Sequence, residues 1–252
     1  MSDASPLSLG GGIISPAIQD YLGKADVVLA IGTELGEADS FIYDLPVNGK
    51  VIRIDIDSNR FSDAFPADVA ILGEARAACI NLIKALESLE VATASQDIIL
   101  ALNSVREQQK SEYSDVERQH IKLLNILRDE LPDDGIIFRD NAQVVYTGTA
   151  PMKTYRPCTW FYPAGFGTLG CALPDAIGAK LALPNRKIIA LVGDGGFMFT
   201  VNELATAVEE SLSIPIIIWH NHSYAMIREA VSYTHLRAHE TDSYLVCRLL
   251  LE

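Results

Sequence analysis

Two short apolar runs dominate the second half of the chain: Ile188-Ile189-Ala190-Leu191-Val192 and Ile214-Pro215-Ile216-Ile217-Ile218-Trp219. Each reads as a strand buried on both faces, because a continuous β-branched run has no solvent-facing alternation. Between them, residues 202–211 set Leu204, Ala205, Ala207 and Val208 at helical spacing. The order is strand, Gly193-Asp194-Gly195 turn, helix, strand, and this predicts a βαβ unit with parallel strands. Asp194 and Asn221 then fall at the C-terminal ends of two strands, the edge where open α/β sheets bind ligands.

An earlier α/β block precedes this unit. Residues 26–32 form an apolar run entering a glycine turn, and residues 50–57 alternate as a strand with one drier face. Residues 73–86 predict an amphipathic helix, with Ala77, Ile80, Ile83 and Lys84 on one side. Periodicity is lost over 87–95, a candidate linker. Helices are predicted over 96–110 and 115–130, and Leu131-Pro132-Asp133-Asp134-Gly135 is a stop signal. Residues 136–140 open the second block as a strand, and residues 173–181 form a helix after the glycine-rich turn 166–170. The fold class is therefore α/β.

Composition adds exclusions. Hydrophobic residues make up 49% of the chain and charged residues 21%, as in a soluble globular protein. The net charge of −13 argues against non-specific nucleic-acid binding. Of the four cysteines, Cys79, Cys158, Cys171 and Cys247, none forms a Cys-x-x-Cys spacing, which fits reduced thiols in the cytoplasm. No run is long enough to span a membrane, and no signal peptide follows Met1.

An acid and an amide at neighbouring strand ends suit a hard cation, which takes oxygen ligands. Glycines beside them let a phosphate approach backbone N–H groups. Gly193-Asp194-Gly195 followed by Asn221 resembles the signature of the thiamine diphosphate enzymes of the acetolactate synthase and 2-oxo acid decarboxylase superfamily. That signature ends in two asparagines; His220 stands at the first and Asn221 at the second. The resemblance covers residues 5–229. It implies a partial Rossmann-like middle domain followed by a truncated thiamin diphosphate-binding fold with a parallel sheet. The expected boundaries are a middle-domain part at residues 1–90, a linker and helix at 91–118, and a diphosphate-binding domain at 119–230.

The resemblance also implies the site. Magnesium would be held by Asp194, Asn221 and the backbone carbonyl of Ser223. Gly193, Gly195 and Gly196 would lie against the diphosphate, with Asn141 and Gln143 of the Asp140-to-Gln143 loop beside it. Leu169 would wedge under the bent cofactor, with the Gly167 carbonyl and Thr168 alongside, and Ser223, Tyr224, Ala225 and Met226 would complete the contacts. His220 and His222 are expected to pack or face substrate, because magnesium avoids imidazole. The carboxylate that activates the cofactor lies, in similar enzymes, in a pyrimidine-binding domain, so no catalytic residue is assigned to this chain. FAD is not expected: where acetolactate synthases carry an arginine after the first glycine turn, this chain has Thr33-Glu34.

The parent is thus expected to be a thiamine diphosphate- and magnesium-dependent, cytoplasmic 2-oxo acid decarboxylase, homodimeric or homotetrameric. Residues 32–37 and 161–170 look closest to the 5-guanidino-2-oxopentanoate type. The alternatives are an acetolactate synthase catalytic subunit, or a non-catalytic cofactor-binding fragment. The chain reads as an internal fragment. Residues 231–252 resemble a translated sequencing adapter, expected to pack against nothing specific; without them the charge is −12.

Overall fold

A computed structural model describes residues 2–87, 89, 95–163, 165–228 and 231. The chain divides into two compact units, residues 1–128 with 148–155, and residues 129–147 with 156–252.

The first unit opens with α1 (Pro16–Leu22), whose proline sits in the first turn where a missing N–H costs nothing. Ser15 makes no side-chain cap. Instead the Glu112 carboxylate accepts from the Ser15 hydroxyl at 2.6 Å and from the Ala17 N–H at 2.7 Å. A parallel three-stranded sheet follows, β1 (Val27–Ile31), β2 (Lys50–Asp55) and β3 (Val69–Leu72), in the order β1-β2-β3. The short α2 (Glu37–Ser40) lies between the first two strands, and α3 (Ala75–Glu87) follows the third. Arg53 is buried in β2 and donates to the carbonyls of Thr33 and Phe65, tying the loop after β1 to the approach to β3.

Two long helices complete this unit, α4 (Gln96–Glu112) and α5 (Asp115–Glu130). Ser95 caps α4, and Val105 on that helix packs with Ala17 and Ile18 of α1. The expected boundary between residues 118 and 119 falls inside α5. His120, Leu124 and Leu127 are buried at helical spacing on one face, so the helix runs unbroken and the first unit continues to Arg128. Most of the linker expected at 87–95 lies outside the described residues, as do residues 232–252 of the adapter-like tail.

The second unit is built on a four-stranded, wholly parallel sheet. Its strands are β4 (Ile136–Arg139), β5 (Trp160–Phe161), β6 (Ile188–Gly193) and β7 (Ile216–Trp219), in the order β5-β4-β6-β7. Residues Ile188 to Val192 of β6 are all buried, as a central parallel strand demands. Its helices are α6 (Gln143–Gly148), α7 (Ala172–Ala182), α8 (Asp194–Thr200) and α9 (Leu204–Glu209). Ala176 of α7 packs on Ile136, Ile188 and Ala190, forming the core under the central strands.

One local expectation changes. Gly193-Asp194-Gly195 is not a free turn before a distant helix. Gly193 is the extended N-cap residue, and Asp194 already begins α8. A 3-10 turn at Val201–Glu203 then joins α8 to α9, so the helix expected over 202–211 is the second half of a broken pair. The early start follows from close packing: Gly195 and Gly196 carry no Cβ, and one would overlap the Tyr224 ring and the Asp140 carboxylate respectively.

Candidate functional site

The parallel register pairs Gly193 with Trp219, so Asp194 and Asn221 lie just beyond the ends of neighbouring strands. Both line one cavity of about 150 Å3 in the second unit. Asn141, Gly167, Leu169, Gly193, Gly195 and Gly196 line it as well. So do Ser223, Tyr224, Ala225 and Met226, which arrive on the segment after β7. Two expected residues are not in this lining. Gln143 stands behind it, its Oε1 accepting from Asn221 Nδ2 at 3.3 Å, and so holds the amide's orientation. Thr168 donates its hydroxyl to the Leu169 carbonyl at 3.2 Å. Ala142, Tyr146, Trp219 and Ile227 also line the cavity; their apolar or aromatic character gave no sign of a site in the sequence.

Asp194 is held from several sides. Its Oδ1 accepts from the Gly195 N–H at 2.8 Å, and its Oδ2 meets His220 Nδ1 at 2.7 Å. Burial pushes its pKa up, but the Gly195 N–H, the His220 ring and the His222 N–H together hold it below the usual carboxylate value. The Gly195 N–H is thus satisfied by its neighbour's carboxylate. These three donors share the four lone-pair sites of the two carboxylate oxygens, which leaves one for a cation. His220 also packs edge-on against His222, ring centroids 3.9 Å apart. Asn221 Oδ1 accepts from the Ser223 N–H at 3.3 Å, closing a tight turn that brings the Ser223 backbone beside it.

The opposite wall is fixed by a residue whose role the sequence did not reveal. Asp140, at the end of β4, is fully buried. It accepts from the Gly170 N–H at 2.6 Å and from the Asn141 N–H at 3.0 Å. The Thr200 hydroxyl of α8 donates to the Gly170 carbonyl at 2.9 Å. Gly170 is therefore clamped from both sides in a left-handed conformation, φ +84°. That clamp positions Leu169 at the cavity. Burial raises the Asp140 pKa, with the Gly170 and Asn141 N–H groups acting against it.

The glycine contacts make a test. In Gly196→Ala the new methyl would strike the Asp140 carboxylate, which has nowhere to go. The expected loss is about 1–3 kcal/mol, the usual cost of overpacking. Gly195→Ala meets the half-exposed Tyr224 ring, which can swing away, so its cost should be smaller. Urea denaturation of both variants checks the order; equal losses would mean that Asp140 yields.

Among the described residues no group of three His, Cys, Asp or Glu side chains could hold a metal. A cation here would rest on one carboxylate, one amide oxygen and a backbone carbonyl. Such a sparse, all-oxygen donor set suits magnesium completed by phosphate oxygens and water.

Residues 1–82 match the central domain of thiamine pyrophosphate enzymes, and residues 143–246 match their C-terminal TPP binding domain. The chain belongs to the thiamine pyrophosphate enzyme family. The second match extends to residue 246, into the stretch expected above to derive from an adapter. A probable 2-ketoarginine decarboxylase of Pseudomonas aeruginosa is 35% identical over 226 residues, covering 89% of this chain and 40% of that protein. A probable acetolactate synthase large subunit of Methanococcus aeolicus is 29% identical, covering 90% of this chain and 41% of that protein. The acetolactate synthase of Bacillus subtilis is 28% identical, covering 82% and 37%. The chain thus spans about two-fifths of the length of these relatives. No helix among the described residues is long and apolar enough to cross a membrane.

Proposed function

We propose that this chain supplies the diphosphate- and metal-binding half of a thiamine diphosphate-dependent decarboxylase acting on 5-guanidino-2-oxopentanoate, which is 2-ketoarginine. The observation that carries the reading is the pairing of Asp194 and Asn221 beside adjacent parallel strands, both lining one glycine-walled cavity. The higher identity to the 2-ketoarginine decarboxylase than to the acetolactate synthases favours the decarboxylase.

In this reading Asp194, Asn221 and the Ser223 carbonyl hold magnesium. Gln143 keeps Asn221 turned with its oxygen toward the cation. Asn141 and the Gly195-Gly196 segment face the diphosphate. Leu169 and Gly167, locked through Gly170 by Asp140, hold the thiamine portion bent. Thiamine diphosphate, when bound, supplies the carbon that attacks the 2-oxo group and the electron sink for the departing carboxylate. His220 Nδ1 meets Asp194 Oδ2 and holds that carboxylate in place. The working enzyme is a cytoplasmic homodimer or homotetramer.

The reading also has no flavin. Thr33-Glu34 stands where acetolactate synthases usually have an arginine-containing stretch; Glu34 is ion-paired to Arg60, and the Thr33 carbonyl is taken by the buried Arg53. In the full-length enzyme, 5-guanidino-2-oxopentanoate should be decarboxylated with a higher kcat/KM than pyruvate, and the protein should show no flavin absorbance. A yellow holoprotein that joins two pyruvates faster than it releases guanidino aldehyde would favour the acetolactate synthase reading.

A further inference from the structure

A second, larger cavity lies wholly within the first unit. Its volume is about 430 Å3, within the range of small-molecule sites. One wall is a face of α4 and its C-terminal residue, where Arg106, Gln109, Lys110 and Tyr113 recur at helical spacing. Facing walls come from α5 and from residues 150–153. Leu9, Ile121 and Met152 supply apolar surface, and Lys153 supplies further charge.

The charges in this lining are unbalanced. Asp3 is its one acid, and that carboxylate is consumed by the Ser8 hydroxyl at 2.6 Å and the Thr154 N–H at 2.7 Å. Arg106 donates to Asn103 and to the carbonyls of Pro6 and Ser8, all neutral acceptors, so its charge meets no carboxylate. Lys153 makes no ion pair among the described residues, whereas Lys110 and Arg118, also in the lining, have their charges met by Glu107 and Asp115.

Two buried donors in the same wall have no partner. Gln109 is 9% exposed, and its Nε2 makes no hydrogen bond. The Tyr113 hydroxyl is likewise buried and unpaired. Burial, aided by Glu112 and Glu117, pushes the Tyr113 phenol up to about 12, so it remains a proton donor. Orphaned buried donors are rare in folded proteins, because each gives up its hydrogen bond to water. The glycine loop at residues 10–12 presses on this wall. A Cβ on Gly12 would come within 2.7 Å of Gln109 Nε2, so the amide is confined by backbone as well as by burial.

The geometry points to this cavity as a binding site for a small organic anion. Its carboxylate or phosphate oxygens accept from Gln109 and Tyr113 in the field of Arg106 and Lys153, and its apolar body lies on Leu9, Ile121 and Met152. The inference stands apart from the thiamine diphosphate reading, since no residue is shared between the two cavities.

Calorimetric titration of the chain with benzoate, phenyl phosphate and the neutral benzyl alcohol tests it. One or both anions should bind at a single site, at least about tenfold more tightly than the alcohol. Benzoate alone would mark the site as one for carboxylates, and phenyl phosphate alone as one for phosphates. Lys153→Glu, on an exposed side chain, should weaken binding about tenfold, and Tyr113→Phe several-fold with unchanged circular dichroism. Lys84→Glu on α3 should leave it unchanged. Equal affinity for the alcohol, indifference to Lys153→Glu, displacement by thiamine diphosphate, or no binding at millimolar anion would each overturn the inference.

Discussion

Supplied with thiamine diphosphate, magnesium and either pyruvate or 5-guanidino-2-oxopentanoate, the chain by itself is expected to release no carbon dioxide above background. The reason lies in the cavity wall. Among the described residues Asp194 is its one carboxylate, and it is assigned to the cation. Activating the cofactor needs a second carboxyl group, one that protonates the pyrimidine ring so that its amine can act as a local base. In similar enzymes that acid comes from a pyrimidine-binding domain. Neither Glu34 nor Glu37 is among the cavity's lining residues, and Glu203 is engaged with Asn202 and Thr206. Losing a positioned acid–base group costs about 10²–10⁴ in rate, enough to bury turnover in the background. Adding a pyrimidine-binding domain should restore activity. Turnover by the chain alone, abolished by changing one of its own carboxylates, would reveal an acid that this reading lacks.

What was legible in the sequence and what was not separates along a physical line. The strands β1, β2, β4, β6 and β7 announce themselves because each is a local apolar or alternating run. β3 and β5 do not. Val69–Leu72 is short and largely exposed, and Trp160–Phe161 is too short to carry any period; both are strands because a neighbour's ladder recruits them. The helix α6 is likewise too short to stand out beside the loop at 140–143.

The same line runs through the site. Gly193, Asp194 and Asn221 were readable because a family signature fixes their spacing. The Asp140–Gly170 hydrogen bond joins residues thirty positions apart and leaves no local pattern, though a charged residue closing an apolar strand was a fair sign of it. The His220–Asp194 contact was hidden for another reason. His220 replaces an asparagine of the family pattern, and which partner an imidazole takes depends on register across β6 and β7, not on sequence neighbours.

Asp194→Ala should lower the affinity for thiamine diphosphate at millimolar magnesium about a hundredfold or more, since contacts lying beyond a metal's direct ligands are already worth about 10- to 100-fold. The fold should survive, because the side chain is part-exposed and its partners are a surface histidine and the backbone N–H groups of Gly195 and His222. Asp194→Asn provides the finer test. It keeps an acceptor for the Gly195 N–H but removes the charge, so magnesium dependence should fade while the structure stays. The wild-type pH response follows from the same contacts. Because the folded pKa lies below the ordinary value, the stability this carboxylate contributes is complete above that ordinary value and is lost as the pH falls through the depressed one. Cofactor retention should therefore hold through the neutral range and decline only in acid, and in Asp194→Asn this acid limb should be flattened. Calorimetric titration with thiamine diphosphate across pH, with magnesium fixed, measures both. Unchanged affinity in Asp194→Ala at limiting magnesium would remove Asp194 from the cation and leave the cavity without a metal ligand of charge.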